Sequence, residues 1–425
     1  MEIVRTTGLG GRRGRARVGE LAQRGAALDR RVLPAAERIV NAVRKDGDKA
    51  LRAWSAKLDG LDPKVPLAIA PAEMQAALAA LPTAMRHALE QAAANIRAFA
   101  EKQMPGNWDF EPAPGLSVGQ RVLPLDSVGC YVPSGRHPLP STLLMTAIPA
   151  QVAGVKRIVA VSPRPAPEVL AAAALLGITE FYRVGGAQAV AALAYGTGSS
   201  KDSIHRVDKI VGPGNAYVTA AKKLVAFDAA IDMLAGPTEI VVTSETGNPR
   251  EIASDLVAQS EHDPDAVAIF VTTDAELARR VVAEAKQQAR NNPIAALALD
   301  RNGVAIIAGS LEESHEITNQ LAGEHLTVDS PEDLAWVRHA GSVFIGRWSP
   351  QPMGDYISGP NHTLPTGGQA RLRGGLSVHD YLKLITVQGY TPLGLATFGP
   401  AAIRIAEAEG LTGHAEAIRV RGVTA

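Results

Sequence analysis

From Val128 onward the chain alternates short apolar runs with alanine-rich helical stretches, and this alternation limits the available folds more than any other feature. Strands separated by helices lie parallel, because each helical crossover returns the chain to the same end of the sheet. The expected strands are Arg157–Ser162, Glu180–Val184, Lys209–Val211, Glu239–Thr243, Ala266–Thr272, Val304–Ala308 and Ser342–Ile345. The expected helices between and around them are Thr142–Ala153, Pro167–Leu176, Gln188–Tyr195, Ala216–Leu224, Pro249–Glu261 and Ala275–Asn291. Upstream, apolar spacings of three and four predict helices over Val32–Leu58 and Ala70–Ala98. Pro105 to Leu116 reads as a loop or short hairpin, and the chain becomes helical again after Asp380, ending in Ala401–Ala408. The expected class is α/β, with two Rossmann-like parallel-sheet domains carrying helical N-terminal and C-terminal extensions. The boundaries divide residues 1–25 as an N-terminal arm, 26–129 with 239–376 as the first α/β domain, 130–238 as the second, and 377–425 as a tail.

A chain of 425 residues exceeds one ordinary core, which supports more than one domain. Lys plus Arg number 43 and Asp plus Glu number 43, a balance that argues against nucleic-acid or anionic-membrane partners. The locally basic run Arg12–Arg17 is expected to be a solvated or frayed arm. Cys130 alone cannot form an internal disulfide, which fits a reducing cytoplasm, and its apolar neighbours mark it as an inert buried thiol. No leader and no long unbroken apolar run is evident, so a cytoplasmic protein is expected.

Two strand–glycine–helix turns stand out: Phe181–Val184 with Gly185 and Gly186, and Ile210–Val211 with Gly212, Pro213, Gly214 and Asn215. Glycine lets the backbone approach a ligand, and a helix start offers unpaired N–H groups to phosphate. Neither turn is a full dinucleotide fingerprint, and glycine used for tight packing is an equal reading of each alone. Gln188 and Asn215 add polar groups at these turns, and Tyr131 ends an earlier strand beside the turn through Arg136. An aromatic at a strand end is more often core than a ligand contact.

The chemistry concentrates further along. Gln259 and His262 are three residues apart at the end of a helix that Asn248 caps and Pro249 opens, so both are expected on one face. One imidazole and one amide oxygen can take two positions around a divalent metal, with an acid and a distant histidine completing the shell. A lone histidine at a helix end is ordinarily not a ligand; the other candidates tip the balance. Asp355 and His362 lie in a glycine-bounded loop, and Glu324–His325 opens a strand as a paired carboxylate and imidazole suited to proton transfer near neutral pH. His414 stands in a C-terminal turn, where a surface histidine is the default reading.

These segments, with Gly185–Ala189, Lys209–Val218, Ala235–Glu239 and Gly359–Thr366, resemble the histidinol dehydrogenase family over nearly the whole chain. The resemblance implies an NAD-dependent, zinc-dependent oxidation of L-histidinol to L-histidine through the aldehyde, using two NAD and one zinc per subunit. It also implies a homodimer whose C-terminal tail enters the partner's site. Gln259, His262, Asp355 and His414 match the family's zinc ligands, and Glu324 with His325 its acid–base pair. Tyr131, Gln188 and Asn215 match cofactor contacts; Thr238, His362 and Glu409 fall among substrate-side groups, as do His325 and the zinc ligands. The family usually has Gly at Ser134, Ser at Thr238 and Pro at Gly323. The methyl of Thr238 reshapes the substrate side, so the alternative reading is a paralogous zinc and NAD dehydrogenase of another small polar alcohol, such as a sulfonated diol. A zinc-binding scaffold without turnover is a third reading, opposed by the presence of both Glu324 and His325.

Overall fold

The computed structural model describes residues 1–25, 31–134 and 138–424; Gly135 and Arg136 of the Tyr131 turn, and the boundary at residue 26, lie outside them. The chain opens with β1 (Glu2–Arg5), α1 (Gly11–Ala22), α2 (Val32–Asp59), α3 (Pro71–Ala80), α4 (Thr83–Lys102), β2 (Trp108–Ala113) and β3 (Leu116–Pro124). It continues through β4 (Ser127–Tyr131), α5 (Pro140–Ala153), β5 (Arg157–Val161), α6 (Pro167–Leu175), β6 (Glu180–Tyr182) and α7 (Gly186–Tyr195). β7 (Lys209–Val211), α8 (Ala216–Val225) and β8 (Ala230–Ile231) end that block. The next comprises β9 (Glu239–Thr243), α9 (Pro249–Ser260), β10 (Val267–Thr272), α10 (Ala275–Gln288) and α11 (Pro293–Asn302). It goes on with β11 (Val304–Ile307), α12 (Leu311–Leu321), β12 (His325–Val328), β13 (Ser342–Ile345) and α13 (Pro352–Tyr356). β14 (Leu382–Tyr390), α14 (Pro392–Ala408) and α15 (Thr412–Arg419) close the chain.

Two parallel sheets result, as the strand–helix alternation requires. The five-stranded sheet has the order β6-β5-β4-β7-β8 and the six-stranded sheet β1-β11-β10-β9-β12-β13. In each, the first strand of the α/β block lies inside, later strands are added outward on one side, and the chain then crosses to the other. The central strands β4 and β9 are buried at every residue, because helices cover both faces. Alternate residues feed opposite cores: Ile240 and Val242 pack under α9 and α10, whereas Val241 faces α1 and α12. The five-stranded sheet is covered in the same way, by α3 to α6 on one face and by α2, α7 and α8 on the other.

Several expectations need correction. Residues 1–25 are not a free arm: β1 pairs with β11, and α1 buries Val18 and Leu21 against the same sheet. The helices over 32–102 cover the five-stranded sheet, so they do not join the 239–376 block. Ala70–Ala98 is two helices, because Pro82 holds Leu81 extended at ψ 138°. After Asp380 the chain first forms β14, which pairs antiparallel with β3, itself paired with β2. Of that strand every residue from Lys383 to Tyr390 is exposed.

The connection from β8 to β9, residues 232–238, leaves the carboxyl edge of one sheet and enters the amino edge of the other. The two edges therefore face each other. Bonds cross between them: Asn361 Nδ2 donates to the Met145 carbonyl in α5 at 2.6 Å, and Thr219 Oγ1 of α8 donates to the Ala235 carbonyl at 3.0 Å. Among the described residues no helix is long and apolar enough to cross a membrane.

Candidate active site

At the amino edge of the six-stranded sheet, β9 and β12 are neighbours, with His325 in register with Ile240. Thr238 and Glu324 stand immediately before these strands, where backbone groups are free of the ladder and can bind side chains instead. Glu324 Oε2 accepts from Thr238 Oγ1 at 2.6 Å and from the Glu239 N–H at 2.8 Å. His325 Nδ1 lies 3.1 Å from the Glu239 carbonyl. A carbonyl only accepts, so Nδ1 carries the hydrogen and Nε2 is left to act as a base, 3.6 Å from Asp355 Oδ1.

Gln259 lies in the last turn of α9 and its amide nitrogen donates to the Thr238 hydroxyl. Its Oε1 is buried without a hydrogen-bond partner. Such an atom costs about 1–3 kcal/mol unless something fills the vacancy in its bonding, which marks it as a ligand position. α9 ends at Ser260, as Asp263 and Pro264 turn the chain, so His262 sits in the bend beyond the helix and is exposed, not on one helical face with Gln259. It is still close enough to the cluster to lower the pKa of Asp355 and of His362. Asp355 belongs to the short α13, and its Oδ2 accepts from Gln351 Nε2 at 3.1 Å. His362 Nδ1 donates to the Asp355 carbonyl at 2.8 Å, and its Nε2 lies 3.5 Å from Thr142 Oγ1 in α5. His325, Phe344, Asp355, Asn361, His362 and Leu364 line a cleft of about 230 Å³.

Burial sets the electrostatics. It pushes the Glu324 carboxyl up to about 7, against the opposing pull of His325, the Thr238 hydroxyl and the Glu239 N–H. Burial alone would depress the His325 imidazole, but the Glu324 and Asp355 carboxylates overcome it and hold the pKa above the usual value. Asp355 is the reverse: desolvation pushes it up, yet the surrounding histidines keep it below the ordinary carboxylate range. The site therefore holds one acid that titrates near neutrality and one that stays ionised.

At the carboxyl edge of the five-stranded sheet, the glycine turns are tied down by the residues expected to contact a cofactor. The Gly186 N–H donates to the Tyr131 hydroxyl at 2.9 Å, and Gly186 itself has φ 59°. Gln188 Nε2 donates to Asp59 Oδ2 at 2.9 Å, and its buried Oε1 has no partner. Asn215 caps α8, accepting from the Tyr217 and Val218 N–H groups at 3.0 and 3.2 Å.

The chain thus gathers Thr238, Gln259, Glu324, His325, Asp355 and His362, with His262 alongside. It does not bring Glu409 and His414 to them. Both are exposed in the C-terminal helical pair, where α14 and α15 pack on each other through Ile403, Ala406 and Ala415. Among the described residues no three His, Cys, Asp or Glu side chains form a metal cage. The donors present are a buried orphan amide oxygen, a carboxylate and an imidazole, a set that fits zinc but lacks a fourth member. Sequence reasoning missed three contributors: Glu239, whose backbone N–H and carbonyl meet Glu324 and His325; Gln351, which holds Asp355; and Thr142. Glu239 ends the motif Ala235–Glu239 and was within reach; nothing in the sequence signals Gln351.

The histidinol dehydrogenase family profile matches residues 22–422. The histidinol dehydrogenase of Gluconobacter oxydans is 46% identical over 413 residues, covering 94% of this chain and 95% of the relative. That of Geobacillus kaustophilus is 47% identical over 412 residues, covering 94% of each. The crystal structure of histidinol dehydrogenase from Elizabethkingia anophelis superposes with a TM-score of 0.91 at 34% identity, over 99% of this chain and 98% of that one. With a match that spans both sheets and the cleft between them, the chain belongs to the histidinol dehydrogenase family.

Proposed function

We propose that the chain oxidises L-histidinol to L-histidine through L-histidinaldehyde, with zinc and two NAD. The observation that carries this reading is the buried Glu324–His325 pair beside Asp355 and the orphan Oε1 of Gln259. Gln259, His262 and Asp355 would hold the zinc, and the partner's His414 would complete the set. When bound, zinc grips the amino alcohol as a Lewis acid and NAD takes a hydride in each oxidation.

The chain's own residues do the rest. His325 accepts the alcohol proton at Nε2 while its Nδ1–H stays on the Glu239 carbonyl, which fixes the ring. Glu324, when ionised, removes a proton from water for addition to the aldehyde. The Thr238 hydroxyl and the Glu239 N–H hold the other side of that carboxylate, so it is oriented before water arrives. Glu409 of the partner would pair with the substrate ammonium, together with His362 at the cleft wall. Tyr131, Gln188 and Asn215 would border the NAD, and the unpartnered Oε1 of Gln188 is the strongest of these candidates for a direct bond.

A homodimer with exchanged tails is supported by two features. His414 is exposed on a helical pair that packs mainly on itself. Leu384, Ile385, Val387, Leu393, Ile405 and Val420 are all exposed on β14, α14 and the residue after α15, apolar side chains that suit burial against a second copy. The test is stoichiometric: purified protein is supplied with L-histidinol, and NADH and histidine are both counted. Two NADH per histidine are expected; one NADH with aldehyde accumulating, or no histidine, would refute the reading.

A further inference from the structure

Arg24 lies two residues beyond α1, in the segment whose basic run reads as a solvated arm, yet its side chain is only 12% exposed. It closes on Glu239, 3% exposed, with Nε to Oε1 and Nη2 to Oε2 both at 2.6 Å. The remaining guanidinium nitrogen donates to the Leu21 carbonyl at 2.6 Å. Glu239 Oε1 also accepts from the Gly367 N–H at 2.8 Å, and Thr366 Oγ1, one residue earlier, accepts from the Gly236 N–H at 2.6 Å. One bidentate pair therefore joins the end of α1, the start of β9 and the loop that carries His362.

The backbone of that same Glu239 meets both proton-transfer groups, its N–H on Glu324 and its carbonyl on His325. We propose that Arg24 is a positioning residue for the Glu324–His325 pair, acting through Glu239; this rests on the function proposed above. A planar guanidinium fixes a carboxylate in two dimensions at once, which an ammonium or a single hydrogen bond does not. With the side chain of Glu239 locked, the two peptide units that flank its Cα are held at the strand start, and both groups keep their register with the cleft. Stability alone is a weak reason for such a pair, because apolar replacements of buried ion pairs are often neutral.

The test uses Arg24→Met, Arg24→Lys and the double variant Arg24→Met/Glu239→Met, each as the full-length zinc-loaded enzyme. A misplacement approaching 1 Å costs up to about 100-fold in rate, so Arg24→Met is expected to lower kcat for both oxidations by roughly 10–100-fold. The KM for the alcohol and the zinc content should stay near wild type, and Arg24→Lys should recover part of kcat. The double variant, with no buried charge left unpaired, should regain thermal stability without regaining kcat. If Arg24→Met does not fold, the double variant carries the test. Wild-type kcat in Arg24→Met, or recovery of kcat together with stability in the double variant, would overturn the proposal. A wild-type enzyme that yields no histidine would instead overturn the function on which it rests.

Discussion

Replacing Glu324 by Gln should make the metal-free protein more stable, and increasingly so as the pH rises. The carboxyl is buried, and burial lifts it from an ordinary 4.5 to about 7. A carboxyl with a raised folded-state pKa stabilises the fold while protonated. That contribution is complete below 4.5 and is lost as the pH climbs through about 7. At 1.36 kcal/mol per pKa unit the loss approaches about 3 kcal/mol, the pull of His325 being already contained in the value of about 7. Glutamine keeps an oxygen for the Thr238 hydroxyl and the Glu239 N–H but has no charge to desolvate. The melting temperature of Glu324→Gln minus that of wild type should therefore rise between about pH 5 and pH 8, reaching roughly 3 °C for a chain of 425 residues. Scanning calorimetry across that window measures it directly. A difference that is flat, or that falls with pH, would show that Glu324 is not held in the state its burial implies.

His325→Asn should slow the alcohol step by roughly 10²–10⁴-fold while leaving zinc bound. In wild type that step requires neutral imidazole, so with a pKa raised by Glu324 and Asp355 its rate should climb on the alkaline side of the ordinary imidazole range. Stopped-flow NADH formation should show this climb in wild type and lose it in the variant; a pH-independent wild-type step would refute His325 as the base. Mixing an inactive His262→Gln dimer with an inactive His414→Ala dimer should restore about a quarter of wild-type sites after subunits exchange, since each hybrid holds one intact site. No recovery under conditions where mass spectrometry shows hybrids would mean that the tail serves its own chain.

Interior strands such as Glu239–Thr243 and Lys209–Val211 were legible because both their faces are largely apolar, and their observed bounds match the expected ones. Edge elements were not. β1 is four residues long and takes its meaning from Val304 to Ile307, some 300 positions away in sequence. β14 shows no buried face at all in this chain, so its pairing with Arg121 and Val122 left no periodic trace. At the site, residue type and local spacing located Glu324, His325, Asp355 and His362, whereas their hydrogen-bond supports, Gln351 and Arg24, come from segments with no visible link to them. Glu409 and His414 matched by motif but stay apart from the cluster within one chain.

The meeting of a carboxyl edge with an amino edge has an electrical consequence. Helices in the five-stranded layer start at the cleft, so α5, α7 and α8 aim their partial positive ends into it. Those of the six-stranded layer finish there, so α9 and α12 deliver partial negative ends from the opposite wall. A field thus runs across the gap before anything binds, drawing anions such as a pyrophosphate to one wall and a dication to the other. Two layers stacked with like edges together would have produced no such polarity.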